Sequence, residues 1–249
     1  MLLPILFFVV IKGGVFLYGA LMLVSLLSMY EFYTSFKTQG DKPRQFVGYG
    51  SGILIVSVTY FRLKEIYYIG PLYLTLVYFA WLMIRKKASM RDFMVTLVGI
   101  IYIPMMLNFI LRTSLMEKSM LIWMIFVIAW GTDTFAYFSG YFLGKNKLIP
   151  EVSPKKTIEG FWGGVIGSAL STMILGYILG ENIYVMMAGG IFGSMISQLG
   201  DLFASYIKRI LNIKDYGNIM PGHGGVLDRF DSIIFTAPFV YYFSIIFLK

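Results

Sequence analysis

The chain has 249 residues, of which 58% are hydrophobic and 14% charged, with a formal net charge of +8 and no cysteine. Soluble domains carry roughly a quarter charged residues, and so short a chain has too little interior to hide that much apolar surface, which excludes a water-soluble fold. The absence of cysteine excludes a disulfide framework and thiolate chemistry, and the apolar runs are continuous rather than alternating, which excludes an outer-membrane barrel.

The reading is all-α: a polytopic integral membrane protein with about eight or nine transmembrane helices and long cytoplasmic loops. In chain order, MLLPILFFVVIKGG lacks a basic start and a small-residue cleavage site, so it is expected to be a retained segment. Its apolar part, 2–11, is about half a span long. Helices are then predicted at 15–35, 46–61, 67–84, 93–111, 120–143, 161–180, 183–206 and 232–248. Loops 36–45, 85–92, 144–160 and 207–231 hold fifteen of the 21 Lys and Arg. The positive-inside rule therefore places all four loops in the cytoplasm, and it accounts for the net charge without nucleic acid as a partner.

Two of these loops stand apart. KNKLIPEVSPKKTIEG (145–160) and KRILNIKDYGNIMPGHGGVLDR (208–229) are rich in Gly and Pro and mix both signs of charge, a composition suited to folding around a ligand. Acids appear beside them at membrane depth. Asp133 lies within IAWGTDTFAYFSGYF and Asp201 late in IFGSMISQLGDLFASYIKR. An acid in a span is expensive, and it usually faces a polar cavity with a partner. Ser194, Gln198, Asp201, Ser205 and Lys208 follow at steps of four, three, four and three, which places them on one helix face. Such a stripe is expected to line a water-filled groove.

The last helix opens with Asp228 and Asp231, again on one face. Helix capping accounts for either acid alone, but not for three carboxylates flanking one loop. Carboxylates set among Lys155, Lys156, Lys208, Arg209, Lys214 and Arg229 suit a divalent cation and phosphates. Gly222, Gly224 and Gly225 permit close backbone approach to a ligand. His223, the single histidine, stands between them as a candidate acid, base or hydrogen-bond donor.

From Ser205 the chain reads SYIKRILNIKDYGNIMPGHGGVLDRFD, and this stretch resembles the signature of the phosphatidate cytidylyltransferases, or CDP-diacylglycerol synthases. SPKKTIEGFWGG (153–164) and DTFAYFSG (133–140) resemble two further family segments. Together these cover roughly 130 to 235. Ala204 replaces a frequent Glu, and Tyr141 stands where an Arg is common. The resemblance implies transfer of CMP from CTP to phosphatidic acid, giving CDP-diacylglycerol and pyrophosphate. It implies Mg²⁺ held by Asp201 and Asp228, with K⁺ as a candidate second cation.

On that basis Asp231 is expected to be a further metal ligand or an orienting group. Lys208, Arg209, Lys214 and Arg229 are expected to bind phosphates, and Ser153, Lys155, Lys156 and Thr157 to form a wall of the nucleotide site. Chemical roles are assigned to Asp201, Asp228, Asp231, Lys208, Arg229 and His223, and nucleotide contacts to Ser205, Gly224 and Gly225 as well. The whole is expected to be one membrane domain, with N-terminal helices over 1–119 and catalytic helices and loops over 120–249. The expected location is the inner membrane of a cell, with the site on the cytoplasmic side and a homodimer left open. A CTP-dependent polyprenol or phytol kinase and an ion-coupled transporter are the rival readings.

Overall fold

Apolar runs must satisfy every backbone N–H and C=O internally, so they fold as helices. The computed structural model describes residues 2–217 and 224–248. Its helices are α1 (Leu2–Lys12), α2 (Gly14–Lys37), α3 (Gln45–Tyr60), α4 (Ile69–Ile84), α5 (Met90–Ile100), α6 (Met106–Ser114), α7 (Ile122–Leu143), α8 (Ile158–Leu179), α9 (Ile183–Ile210) and α10 (Leu227–Phe247). A π turn over Ile101–Met105 joins α5 to α6, where Pro104 removes a helix N–H donor.

Among the described residues, six helical stretches are long and apolar enough to cross a membrane: 14–37, 90–114, 119–143, 158–179, 183–210 and 227–247. The protein is thus a multi-pass helical membrane protein. The expected eight or nine crossings also counted α1, α3 and α4. The 16 residues of α3 and of α4 reach less than the roughly 30 Å of a hydrocarbon core.

The loop expected over 145–160 folds as a small antiparallel pair, the one departure from an all-α description among the described residues. β1 (Lys147–Ile149) faces β2 (Ser153–Thr157), with Lys147 opposite Thr157 and Ile149 opposite Ser153. The chain forms two compact units, residues 1–112 with 211–229, and residues 113–210 with 230–249.

In the first unit α2 is central. Tyr33 is fully buried, and its hydroxyl donates to Thr96 O at 2.9 Å. Its ring fills the space that a Cβ on Gly48 of α3 or Gly99 of α5 would need. At the start of α5, Ser89 and Asp92 form a reciprocal capping box, and Asp92 Oδ1 also accepts from Lys42 N at 2.7 Å.

In the second unit small residues let helices approach closely. A Cβ on Gly164 of α8 would sit 3.0 Å from Thr132 O of α7, and one on Gly190 of α9 would sit 2.8 Å from Ser168 O of α8. Buried hydroxyls tie the same helices together. Thr132 donates to Ser194 Oγ at 2.9 Å, and Ser168 donates to Gly190 O at 3.1 Å.

Candidate active site

Charge is concentrated at one place in the second unit. The turn from β2 into α8 brings Lys156 to Asp201 of α9, with Nζ 2.5 Å from Oδ2. Ser205, one turn further along α9, donates to Asp201 Oδ1 at 3.4 Å. Asp133 of α7 lies on an exposed face and feels the charges of Asp201 and Lys156. Asp231 of α10 is half-buried and feels Asp201, Lys208 and Asp133. Its Oδ1 accepts from Ser232 N at 2.7 Å. Three acids and two lysines from α7, α9, α10 and the β2 segment therefore share one electrostatic neighbourhood. Asp133 gains a place there that its spacing alone did not assign.

The polar stripe on α9 divides in two. Asp201 and Ser205 are half-buried and belong to the charged cluster. Ser194 and Gln198 are buried: Ser194 accepts from Thr132, and Gln198 Nε2 donates to Phe161 O at 3.2 Å. The deep half of the stripe thus joins helices, and the expectation that the whole stripe lines a groove is corrected to its outer half. Lys208, expected to reach out toward phosphates, is itself largely buried, at 9% exposure.

In the first unit the loop before α10 is built around Asp228. Its Oδ2 accepts from Tyr216 N at 2.8 Å and from Gly225 N at 3.1 Å. Gly224 has φ +83°, a conformation that favours glycine, and a Cβ there would meet the carboxylates of Asp215 and Asp228 at 3.3 and 3.4 Å. Gly225 is buried. Gly222 and His223 lie outside the described residues.

Sequence reasoning passed over Glu31. This acid, 2% exposed in α2, accepts from Val226 N at 2.9 Å and from Leu227 N at 2.8 Å. The available signal was an acid inside an otherwise apolar span.

The remaining assigned residues are placed as follows. Thr157 is buried and caps α8, its Oγ1 accepting from Gly160 N at 3.1 Å, so its hydroxyl serves the helix. Ser153 is half-buried and Lys155 exposed on β2. Arg209 is exposed, and its Nε donates to Val152 O at 3.1 Å, which ties the end of α9 to the turn between the strands. Lys214 and Arg229 are exposed in the first unit.

These donors suit a hard divalent cation in kind. Mg²⁺ typically takes one or two carboxylates and completes its shell with water and substrate phosphates, without a cage made wholly of protein. No group of three acidic, His or Cys side chains that would hold a metal occurs among the described residues. Asp201 has side-chain partners that can shift, so its oxygens can be released to a cation. Asp228 has Oδ2 engaged by backbone N–H groups.

A helical membrane protein with acids and lysines gathered from several helices defines a class, and comparison narrows it. The cytidylyltransferase family model matches residues 1–247. The phosphatidate cytidylyltransferase of Rickettsia bellii is 36% identical over 211 residues, 80% of this chain and 90% of that protein. That of Rickettsia prowazekii is 37% identical over 211 residues, 80% of this chain and 91% of that protein. The Bacillus subtilis phosphatidate cytidylyltransferase is 43% identical over 152 residues, which is 59% of this chain and only 56% of the Bacillus protein. The chain belongs to the cytidylyltransferase family.

Proposed function

We propose that the chain transfers CMP from CTP to phosphatidate, releasing pyrophosphate and forming CDP-diacylglycerol. The observation that carries this reading is the family match over 1–247. The convergence of Asp133, Asp201, Asp231, Lys156 and Lys208 in one unit supports it chemically.

In this reaction a phosphate oxygen of the lipid attacks the α-phosphorus of CTP, and the bond from that phosphorus to the bridging oxygen breaks. The nucleophile is a phosphate monoester with a second pKa near about 6, so it is mostly ionised at neutral pH. No strong general base is required, which suits a chain with a single histidine and no cysteine. The obstacle is repulsion between two anions, and the protein's task is to neutralise and align them.

Asp201 and Asp228 are the carboxylates assigned to Mg²⁺, which when bound supplies charge neutralisation at the phosphate oxygens. The resemblance that names Mg²⁺ also carries K⁺ as a second cation. Lys156 pairs with Asp201, and its flexible stem would let the ammonium serve a CTP phosphate were that carboxylate to hold a cation. Arg209, Lys214 and Arg229 are exposed and are assigned to the departing pyrophosphate, whereas Lys208, largely buried, offsets the charge of Asp231. Asp133 and Asp231 add negative charge around Asp201, which favours a cation there. Ser153 and Lys155 line the approach of the nucleotide.

Whether α3 and α4 both cross or neither does, the four basic loops fall on one face, which the positive-inside rule assigns to the cytoplasm, as expected for a bacterial inner membrane. CTP is delivered from that side, and phosphatidate stays in the bilayer.

Purified protein incubated with phosphatidate, Mg²⁺ and CTP labelled at the α-phosphate is expected to move label into lipid. Label entering lipid only from γ-labelled CTP makes the protein a kinase, and uptake into proteoliposomes without nucleotide makes it a transporter.

A further inference from the structure

We propose that Glu31, together with Ser35 one turn along α2, is a positioning group that sets the aim of Asp228. Its kinetic consequence rests on the cytidylyl-transfer reading, whereas its structural consequence does not. A buried carboxylate needs strong partners, and Glu31 finds them in the backbone. Oε1 takes the N–H of Val226 and Oε2 the N–H of Leu227, the donors that open α10 and have no partner within the helix.

The surroundings are shaped to this one side chain. A Cβ at Gly225 would stand 2.6 Å from Oε2, and one at Gly217 would stand 2.6 Å from Oε1. Both positions therefore accept only glycine while Glu31 keeps its place.

Asp228 is held by the same few residues. Its Oδ2 accepts from Gly225 N, the amide next to Val226, and from Tyr216 N, the amide next to Gly217. Ser35 Oγ donates to Tyr216 O at 3.3 Å and to Glu31 O at 2.9 Å. The charge of Asp228 acts on Glu31, so two carboxylates that repel each other are fixed by backbone N–H groups between them. If Glu31 releases Val226 and Leu227, Gly225 moves, and Asp228 loses one of the amides that orient it. Both oxygens of Glu31 are engaged by backbone, so its action on the reaction passes through Asp228 and not through substrate.

The test uses the full chain in detergent, as wild type, Glu31→Gln and Ser35→Ala. Gln keeps the size of Glu but turns an N–H₂ toward a backbone N–H. Amide exchange over 224–229 is expected to quicken by about tenfold or more in Glu31→Gln. The Mg²⁺ concentration for half-maximal CDP-diacylglycerol formation is expected to rise about tenfold, as is typical when a group supporting a metal ligand is lost. Mn²⁺ titration followed by paramagnetic resonance is expected to weaken equally. Ser35→Ala is expected to shift the Mg²⁺ requirement about threefold, and it carries the test should Glu31→Gln not accumulate. Unchanged exchange overturns the proposal. So does a lower kcat with the Mg²⁺ and Mn²⁺ requirements unmoved, since that pattern marks a merely structural role. Wild-type protein that forms no CDP-diacylglycerol overturns the proposed function instead, while exchange and Mn²⁺ binding still report on Glu31.

Discussion

Glu31 and Asp92 in one unit, and Asp133 and Asp201 in the other, are all acids set into long apolar helices, yet they meet different partners. Glu31 and Asp92 are engaged by backbone: Val226 and Leu227 N–H for the first, Lys42 and Ser89 N–H for the second. Asp201 is engaged by side chains, Lys156 and Ser205, and Asp133 is exposed beside them. A backbone donor cannot leave without unfolding its segment, whereas a lysine on a flexible stem can turn to another anion. An acid in a membrane span is therefore a clamp or a reactive group according to whether its donors can move.

This contrast is open to direct attack. The largest effect is expected for Asp201→Asn and Asp228→Asn. Each should lower CDP-diacylglycerol formation by on the order of 100-fold or more at unchanged membrane insertion, and a variant retaining most of its rate would end the metal assignment. Next comes Lys156→Ala, expected to raise the KM for CTP about tenfold through loss of a charge-assisted phosphate contact; steady-state titration of CTP reads it. Asp133→Asn removes a charge near Asp201 but, among the described residues, no hydrogen bond, so a change of severalfold in kcat is expected, with the thermal midpoint held.

The clamp side of the comparison predicts the reverse pattern. Asp92→Ala breaks the capping box and the bond to Lys42, and should lower stability by about 1–2 kcal/mol with kcat unchanged. Thermal unfolding and product assays on one preparation separate the two quantities. Thr157→Ala is the smallest, costing about 1 kcal/mol by loss of the α8 cap. If instead its KM for CTP rises with stability intact, the hydroxyl contacts nucleotide.

Some of this was legible in advance because the relevant information is local. The helix positions follow from apolar runs, and the observed ends lie within a few residues of those expected, apart from α10, which starts at Leu227 and not near 232. The α9 stripe was read as one face, and its residues do share one. Its split was not legible, since burial of Ser194 and Gln198 depends on Thr132 of α7 and Phe161 of α8. Thr157 illustrates the same limit. It was expected to contact nucleotide, and the bond to Gly160 N that makes it a helix cap follows from α8 starting at Ile158 and not at 161. Glu31 escaped notice because its partners lie 195 and 196 residues away.

The sequence by itself determined that this is a helical membrane protein with its acids and bases gathered near two loops. It also determined the family resemblance, because hydropathy and motif spacing are properties of consecutive residues. The tertiary structure alone decided which of those acids are held by backbone and which by movable side chains. A carboxylate's partners are chosen by packing between helices distant in the chain, and no local pattern of residue types encodes that choice.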